Sequence, residues 1–539
     1  MTEGLTPSDR FWPKLPVGRE FDRWLTVGFT RTVLVVVRTV TAGTRLLDVL
    51  SLLEDDHRIQ VVFTCDEQNS AVFGSGVRDF LHELGVVVLP WEQAIRTRFD
   101  LVLAASENDR LHLLDGPGIL FPHGIGFQKY YPGTTVVAGL HPERLRGCDH
   151  TIALSHHDQL EELRRIGPDV ARRAEVVGDP CLDRLLANTH RFEAFREAFG
   201  GADRPLLTVV STWGPDSLLG TDPGLFTELL AQLPVDEFAV CAALHPGITS
   251  AHGPWQLRTW LATARAAGLR LVTPAAGWQA ALIAASCVLA DEGSLALYAA
   301  ALDRPLLLAG RPAASTVPGS PMAALAERAP RLEPDRPLHT QLRRAMDEHR
   351  PGRYRNVVEA AVAGSSAAAL RGLLYRRLRL AEPGQEAEFA PLPTPAPPPA
   401  PVSAFVIGAR PHGETVELIR FPATDTGHRL EYRHLAAHAT RASLRQLSGA
   451  AIVFTELHEP EPFSEWAEAM LRRWPAAHVA AARISDTVCL TRDRAGEERE
   501  LSLRADPLLA ASLVYLGSAT TTRVIAIGER TVRVTSRVR

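Results

Sequence analysis

Gly118-Ile119-Leu120-Phe121-Pro122-His123-Gly124-Ile125-Gly126-Phe127-Gln128-Lys129 is the stretch on which the reading of this chain turns. A short apolar run stops at His-Gly, and a further glycine and a lysine follow. This reads as a buried strand that delivers His123 to its C-terminal tip. In open α/β sheets ligands bind at the C-terminal strand ends, so the segment predicts both a parallel sheet and a cleft with His123 in it. Glycine after histidine lets the backbone approach a ligand closely, and imidazole suits general-base work near neutral pH.

Outward from this strand the chain keeps an α/β rhythm. Upstream, strands are expected at Val33–Val37, Ile59–Phe63, Val86–Leu89 and Phe99–Ala104, with helices at Arg45–Leu53 and Val72–Leu84. Val33–Val37 is a continuous β-branched run, as suits a strand buried on both faces. Downstream, Thr151–Leu154 and Ala174–Val177 are strands and Gln159–Arg165 a helix closed by Gly167. Alternating strands and helices imply a parallel, doubly wound sheet with right-handed crossovers. A helical bridge at 183–203 follows and the rhythm restarts. Strands are expected at Leu206–Val210, Phe238–Leu244, Leu269–Val272, Val288–Ala290 and Pro305–Leu308, among helices at Leu225–Leu233, Trp255–Ala267, Trp278–Ala285, Leu295–Leu302 and Leu338–Glu348.

The expected organisation is an extension at 1–31 and an N-terminal Rossmann-like unit at 32–182. After the bridge come a C-terminal Rossmann-like unit at 204–381, a Pro/Ala-rich linker at 382–402 and an α+β domain at 403–539. The fold class is therefore α/β, two Rossmann-like domains facing a cleft, plus that third domain. The extension carries Phe11, Trp12, Phe21, Trp24 and Phe29, read as packing on the first unit, with a lipid surface or a partner as the alternative. Ser366–Leu380 reads as an amphipathic helix with Leu370, Leu373, Leu374 and Leu378 opposite Arg371, Arg376, Arg377 and Arg379. Its arginine face is solvated in the plain reading, and meets an acidic surface or phosphate partner in the sharper one. The proline run of the linker is extended and semi-rigid. In the third domain His412, His428, His434, His438 and His458 lack metal-ligand spacing and are read as structural.

Bulk properties narrow the class. The 539 residues exceed one core, and about two to four domains is the length-based expectation. The chain is 46% hydrophobic and 22% charged with a net charge of −4, which gives no general pull toward nucleic acid. Lys14 and Lys129 are the only lysines, so Lys129 stands out in a chain that otherwise uses arginine. The six cysteines are scattered without C-x-x-C spacing, which fits a reducing cytoplasm. No apolar run reaches the about 18 residues that a membrane span needs.

Three further segments sit at expected strand tips. Gly178-Asp179-Pro180-Cys181-Leu182-Asp183 reads as a turn into the bridge, with Asp183 as a helix cap. His245-Pro246-Gly247 places a histidine in extended geometry, where it can donate to a phosphate oxygen, and Ser211-Thr212-Trp213 one strand earlier offers hydroxyls and amides. Asp291-Glu292-Gly293-Ser294 opens a helix whose free N–H groups and dipole attract phosphate.

In this order and spacing the segments resemble the CDP-glycerol glycerophosphotransferase family, the teichoic-acid polymerase-like enzymes of GT-B glycosyltransferase fold. The resemblance runs over roughly residues 30–375. It rests on His123-Gly124 with Lys129, Gly178–Asp183, Thr212-Trp213, His245-Pro246, Asp291–Ser294 and Asp303-Arg304-Pro305-Leu306-Leu307. It implies an acceptor on the first unit and a nucleotide-diphosphate donor, CDP-glycerol or a nucleotide sugar, on the second. His123 would be the general base, His245 would stabilise charge on the donor phosphates and Ser294 would hold the pyrophosphate. Gly124, Lys129, Ser211, Thr212, Asp291 and Gly293 complete the expected binding set. Helix dipole and imidazolium can supply the positive charge, so neither metal nor cofactor is expected. The implied setting is cell-envelope polymer synthesis in the cytoplasm, peripheral at the inner membrane face where the acceptor is a lipid-linked polymer. Two departures bear on the donor: the family's Tyr-Ser-Ser is Glu292-Gly293-Ser294 here, and its Thr-Pro-Leu-Lys is Ile125-Gly126-Phe127-Gln128-Lys129. The alternatives are a UDP-N-acetylglucosamine 2-epimerase-like enzyme, which shares the fold but asks for proton-shuttling carboxylates, and an inactive GT-B protein that only binds.

Overall fold

The computed structural model describes residues 25–67, 74, 76–122, 124–125, 128–130, 134, 136–139, 141–146, 150–273, 277–312, 314–396, 401–424, 430–519 and 524–539. His123, Gly126, the aromatics up to Trp24, Cys148 and His428 lie outside this set.

Seven strands form the first sheet: β1 (Arg31–Val36), β2 (Ile59–Cys65), β3 (Val88–Pro90), β4 (Leu101–Ala104), β5 (Gly118–Leu120), β6 (His150–Leu154) and β7 (Ala174–Val176). Their order is β3-β2-β1-β4-β5-β6-β7, and every pair is parallel. The second sheet holds β8 (Leu206–Ser211), β9 (Ala239–Leu244), β10 (Arg270–Leu271), β11 (Cys287–Ala290) and β12 (Leu306–Leu308), ordered β10-β9-β8-β11-β12 and again all parallel. The two sheets thus share one winding pattern, in which the direction of travel reverses beside β1 and beside β8. Such switch points open a crevice at the C-terminal strand ends. The two Rossmann-like units face each other across these ends, the GT-B arrangement.

The apolar runs explain the burial. Val33 to Val36 of β1 and all of β8, β9 and β11 are buried, as sheets covered on both faces require. Each sheet has a hydrophobic cluster on either side.

Two segments cross between the units. The first is the bridge, whose helix Pro180–Ala187 starts at Asp179; that side chain accepts from Leu182 N at 2.9 Å. The cap is therefore Asp179. Asp183, read as the cap from sequence, accepts instead from the Ser366 backbone and hydroxyl. The second crossing is the helix Ala367–Leu378, and its Leu370, Leu373, Leu374 and Leu378 pack in the first unit's core. Gly178 lies where the crossings meet: at φ +84° a Cβ would stand 3.1 Å from that of Ser366. The arginines of this helix are used within the chain. Arg376 pairs with Glu175 at 2.7 Å, Arg371 with Glu382 at 3.3 Å, and Arg377 donates to Thr151.

The proline-rich segment is extended but anchored. Arg184 donates to the Ala390 carbonyl at 2.9 Å, Arg191 to Leu392 O and to Thr394, and Leu392 N donates to Asn188 at 3.0 Å. Leu392 is buried with the second unit's core residues. The chain from 384 to 396 therefore straps the bridge.

The third domain carries one sheet of ten strands: β13 (Ala404–His412), β14 (Thr415–Pro422), β15 (His434–His438), β16 (Ile452–Glu456), β17 (Val479–Arg483), β18 (Val488–Asp493), β19 (Glu498–Ser502), β20 (Val524–Ile527), β21 (Arg530–Arg533) and β22 (Thr535–Val538). Parallel pairs β14–β20, β15–β16 and β16–β17 sit among antiparallel neighbours. The edge strands β21 and β22 are separated in sequence by Val534 alone, so the sheet curls, with Leu508–Leu513 in the core of one face. Arg420, buried, bridges Asp236 of the second unit at 2.6 Å and Asp506 at 2.8 Å. Asp236 precedes β9, so the domain docks at the end of the second sheet away from the cleft. His434 meets the Ser512 hydroxyl at 3.0 Å and His438 meets Glu456 at 2.8 Å.

Candidate active site between the two sheets

Both switch points open into cavities. One, about 220 Å³, lies between the helix Val40–Leu50 of the first unit and the tips of β8, β9 and β11. The other, about 1310 Å³, continues from it toward the tips of β1 and β4. Lys129, Thr212, Trp213, His245 and Asp291 line both.

On the second unit the tips of β8 and β11 are tied by Asp291. It accepts from Thr212 N at 2.9 Å, Leu218 N at 2.9 Å and the Ser211 hydroxyl at 3.2 Å. Burial pushes its carboxyl above the usual range, and the Leu218 and Thr212 amides and the charge of Lys129 work against that. Ser211 and Asp291, expected as ligand contacts, are thus the strut that shapes the crevice, and the Thr212 amide belongs to it. Glu292 is neutralised: Arg331 pairs with it and the Thr316 hydroxyl donates to it at 3.2 Å. The extra carboxylate of this motif therefore does not oppose an anion on its own.

Gly293, with extended backbone (φ −153°), precedes the helix Ser294–Ala301, whose first turn has no side-chain cap. Gly293, Ser294 and Leu295, at this helix start, line the smaller cavity. Buried side chains Ala296, Leu297 and Tyr298 fix the helix in place. His245 begins the helix Pro246–His252, and its Nδ1 accepts from Gly247 N at 2.9 Å. Neutral His245 is thereby held as the Nε2–H tautomer, and the residue lines both cavities.

From the first unit, Gly124 comes so close that an added Cβ would stand 2.5 Å from Ser294 Oγ. Pro122 lines the larger cavity and Gly124 the smaller, so the residues flanking His123 border both. Lys129 is half-buried. Burial lowers its ammonium pKa, and the nearby charges of Asp291 and Glu292 raise it. This lysine, which the first unit's sequence carries, thus sits against the second unit's carboxylates.

Two groups carry charge here without any motif to announce them. Arg45, on the helix Val40–Leu50, is 5% exposed; it meets Asp179 at 2.9 Å and also the Tyr298 hydroxyl, which lies 3.1 Å from Asp179. Burial works against the Arg45 charge, but Asp179 and its neighbours hold the guanidinium well above its ordinary value. Asp48, one turn on, accepts from Arg184 at 3.0 Å and Gln279 at 3.1 Å. This network joins first unit, bridge and second unit behind the smaller cavity. At the tip of β4, Asp109 lies 3.6 Å from Arg38, which lines the larger cavity. Burial pushes the Asp109 carboxyl up to about 7, against the pull of Arg38. Alternating apolar runs could not flag these residues, because Arg45 and Asp48 look like the polar face of a surface helix. Among the described residues, no group of His, Cys, Asp and Glu is arranged to hold a metal, and no helix is long and apolar enough to cross a membrane.

No family model matches the sequence, and no curated protein matches it. Among solved structures the chain is similar to the wall teichoic acid polymerase TagF, in a variant soaked with CDPG, at TM-score 0.46 and 11% identity over 66% of this chain and 90% of that one. It is also similar to HepE of Anabaena in complex with UDP and glucose, at TM-score 0.36 and 11% identity over 65% and 99%. The UDP-GlcNAc 2-epimerase from Methanocaldococcus jannaschii gives TM-score 0.41 and 12% identity over 64% and 99%. Likeness at this level assigns neither reaction nor substrate.

Proposed function

We propose that this chain is a GT-B transferase that moves a group from a nucleotide-diphosphate donor to an acceptor hydroxyl. Within that class, the motifs favour a glycerophosphate or a glycosyl group, passed to a cell-envelope polymer in the manner of CDP-glycerol glycerophosphotransferases. One observation carries the reading. The uncapped start of the helix Ser294–Ala301, His245 and Lys129 converge on a cavity that runs on to the first unit's switch point. N–H groups at a helix start, an imidazole N–H and an ammonium together suit a diphosphate.

The roles are those the motif resemblance implies. The donor phosphates lie against Gly293 and Ser294, with Thr212 and His245 beside them. The acceptor approaches from the larger cavity. His123 takes the proton of the acceptor hydroxyl, the acceptor oxygen bonds to the transferred phosphorus or anomeric carbon, and the bond to the nucleotide breaks. Negative charge grows on the departing phosphate, and His245 and the helix start stabilise it. A lipid-linked acceptor would bring the protein to the inner face of the membrane.

The test is incubation with CDP-glycerol and with UDP- and GDP-sugars while nucleotide release is followed. Release that His123→Ala abolishes and His245→Ala slows about 100-fold, the scale for one transition-state donor, supports the reading. UDP release together with a free 2-epimerised sugar would favour the epimerase instead. Failure of every nucleotide to bind would sink both.

A further inference from the structure

The loop after β5 belongs to the first unit by sequence but is fastened to the second by contact. Ile125 is fully buried, and the hydrophobic cluster it joins is that of the second unit, with Leu297 and Met322. Gln128 is the centre of the fastening. Its Nε2 donates to the Ile125 carbonyl at 3.2 Å and its Oε1 accepts from Met322 N at 3.1 Å. Its own carbonyl accepts from Val317 N at 3.0 Å, and Tyr130 N donates to Ser315 O at 2.8 Å. Lys129 and Thr316 face each other as an antiparallel bridge between these bonds. In return Val317 packs against the first unit's cluster, as does Tyr130.

Lys129 is thus gripped on both sides by backbone pairing to the opposite unit. Its ammonium makes no hydrogen bond or ion pair with any described side chain, yet it lines both cavities. The carboxylates that feel its charge are Asp291 and Glu292. Both are already engaged, the first by the Thr212 and Leu218 amides and the second by Arg331 and Thr316. A half-buried cation with no committed partner beside a crevice calls for an anion from outside the chain.

We infer that Lys129 is a donor-phosphate ligand that the first unit lends to the second, and that Gln128 is the positioning residue that holds it there. This rests on the nucleotide-diphosphate reading above and adds to it how the donor pocket is completed. Loop docking and nucleotide binding then strengthen each other by the same factor.

Calorimetric titration of the full chain with UDP, CDP and GDP tests this. Lys129→Ala is expected to weaken binding about 10- to 100-fold, the scale of a hydrogen bond to a charged group. Gln128→Ala keeps the lysine and is expected to weaken binding about 5-fold or more. Gln128→Glu preserves the acceptor for Met322 N and is expected to recover part of the loss. Hydrogen exchange supplies a readout that general destabilisation would not imitate. Nucleotide should slow exchange at the Tyr130, Val317 and Met322 amides in the parent chain, and Gln128→Ala should abolish that response. Parent-like binding by Lys129→Ala overturns the inference. Weakened Lys129→Ala beside parent-like Gln128→Ala overturns the positioning role. If the unaltered chain binds none of UDP, CDP and GDP, the nucleotide reading itself fails and takes this inference with it.

Discussion

The two ends of the cleft treat charge in opposite ways. At the hinge, Arg45, Asp179, Tyr298, Asp48 and Arg184 are buried or nearly so, and each meets another at hydrogen-bond distance. At the mouth, Lys129 is half-buried with no committed partner among the described residues. Asp109 lies beside Arg38 with one carboxyl oxygen that accepts no bond among the described residues. A matched network can only hold the units together. An unmatched cation among engaged carboxylates is, in our proposal, a ligand site. The contrast separates structure from function better than residue type does, since arginine and aspartate occur at both ends.

The largest way to break the comparison is at the hinge. Arg45→Ala leaves Asp179 buried without its partner, and loss of about 3–5 kcal/mol of stability is expected, read from urea unfolding. A loss under 1 kcal/mol would show that water enters the hinge freely. The strap comes next. Leu392→Ala, deep in the second unit's core, is expected to cost about 2–4 kcal/mol. A neutral result would return this segment to the status of a loose tether.

At the mouth the expected effect depends on pH. The folded Asp109 carboxyl titrates at about 7 and the ordinary carboxyl at 3.8. Between these values the folded chain binds more proton than the unfolded one, so this residue's contribution to stability falls as pH rises from about 4 to 7 and stays low above that. Asp109→Asn removes this slope and is expected to be more stable than the parent at pH 8 by up to about 4 kcal/mol, at ~1.4 kcal/mol for each of roughly three pKa units. Urea midpoints at pH 5 and pH 8 measure it, and an unchanged slope would refute it. The smallest effect belongs to an exposed pair. Arg376→Ala breaks the ion pair with Glu175 and should change stability by less than about 1 kcal/mol; a large loss of affinity for anionic vesicles in that variant would restore the phosphate-partner reading of this helix.

Much of the fold was legible. Fully apolar runs such as Val33–Val37 and Phe238–Leu244 announce buried parallel strands, because a strand covered on both faces cannot alternate. The strand tips at His245 and Asp291 could be located for the same reason. Short helices such as Pro321–Arg328 and Arg355–Glu359 escaped, since so few residues carry no readable period. The destination of the helix Ala367–Leu378 also escaped: a leucine stripe says that a face is buried but not against which core.

By itself, then, the sequence determined the kinds of element, their order and the glycine and histidine positions at the tips, all local consequences of burial and backbone freedom. Only the tertiary structure decided which of those residues meet. It turned Ser211 and Asp291 into a strut, made Asp179 rather than Asp183 the cap, and carried Ile125, Gln128 and Lys129 of the opening stretch onto the second unit. Those outcomes depend on contacts between residues far apart in the chain, set by how two sheets and two crossings pack, and no local pattern encodes them.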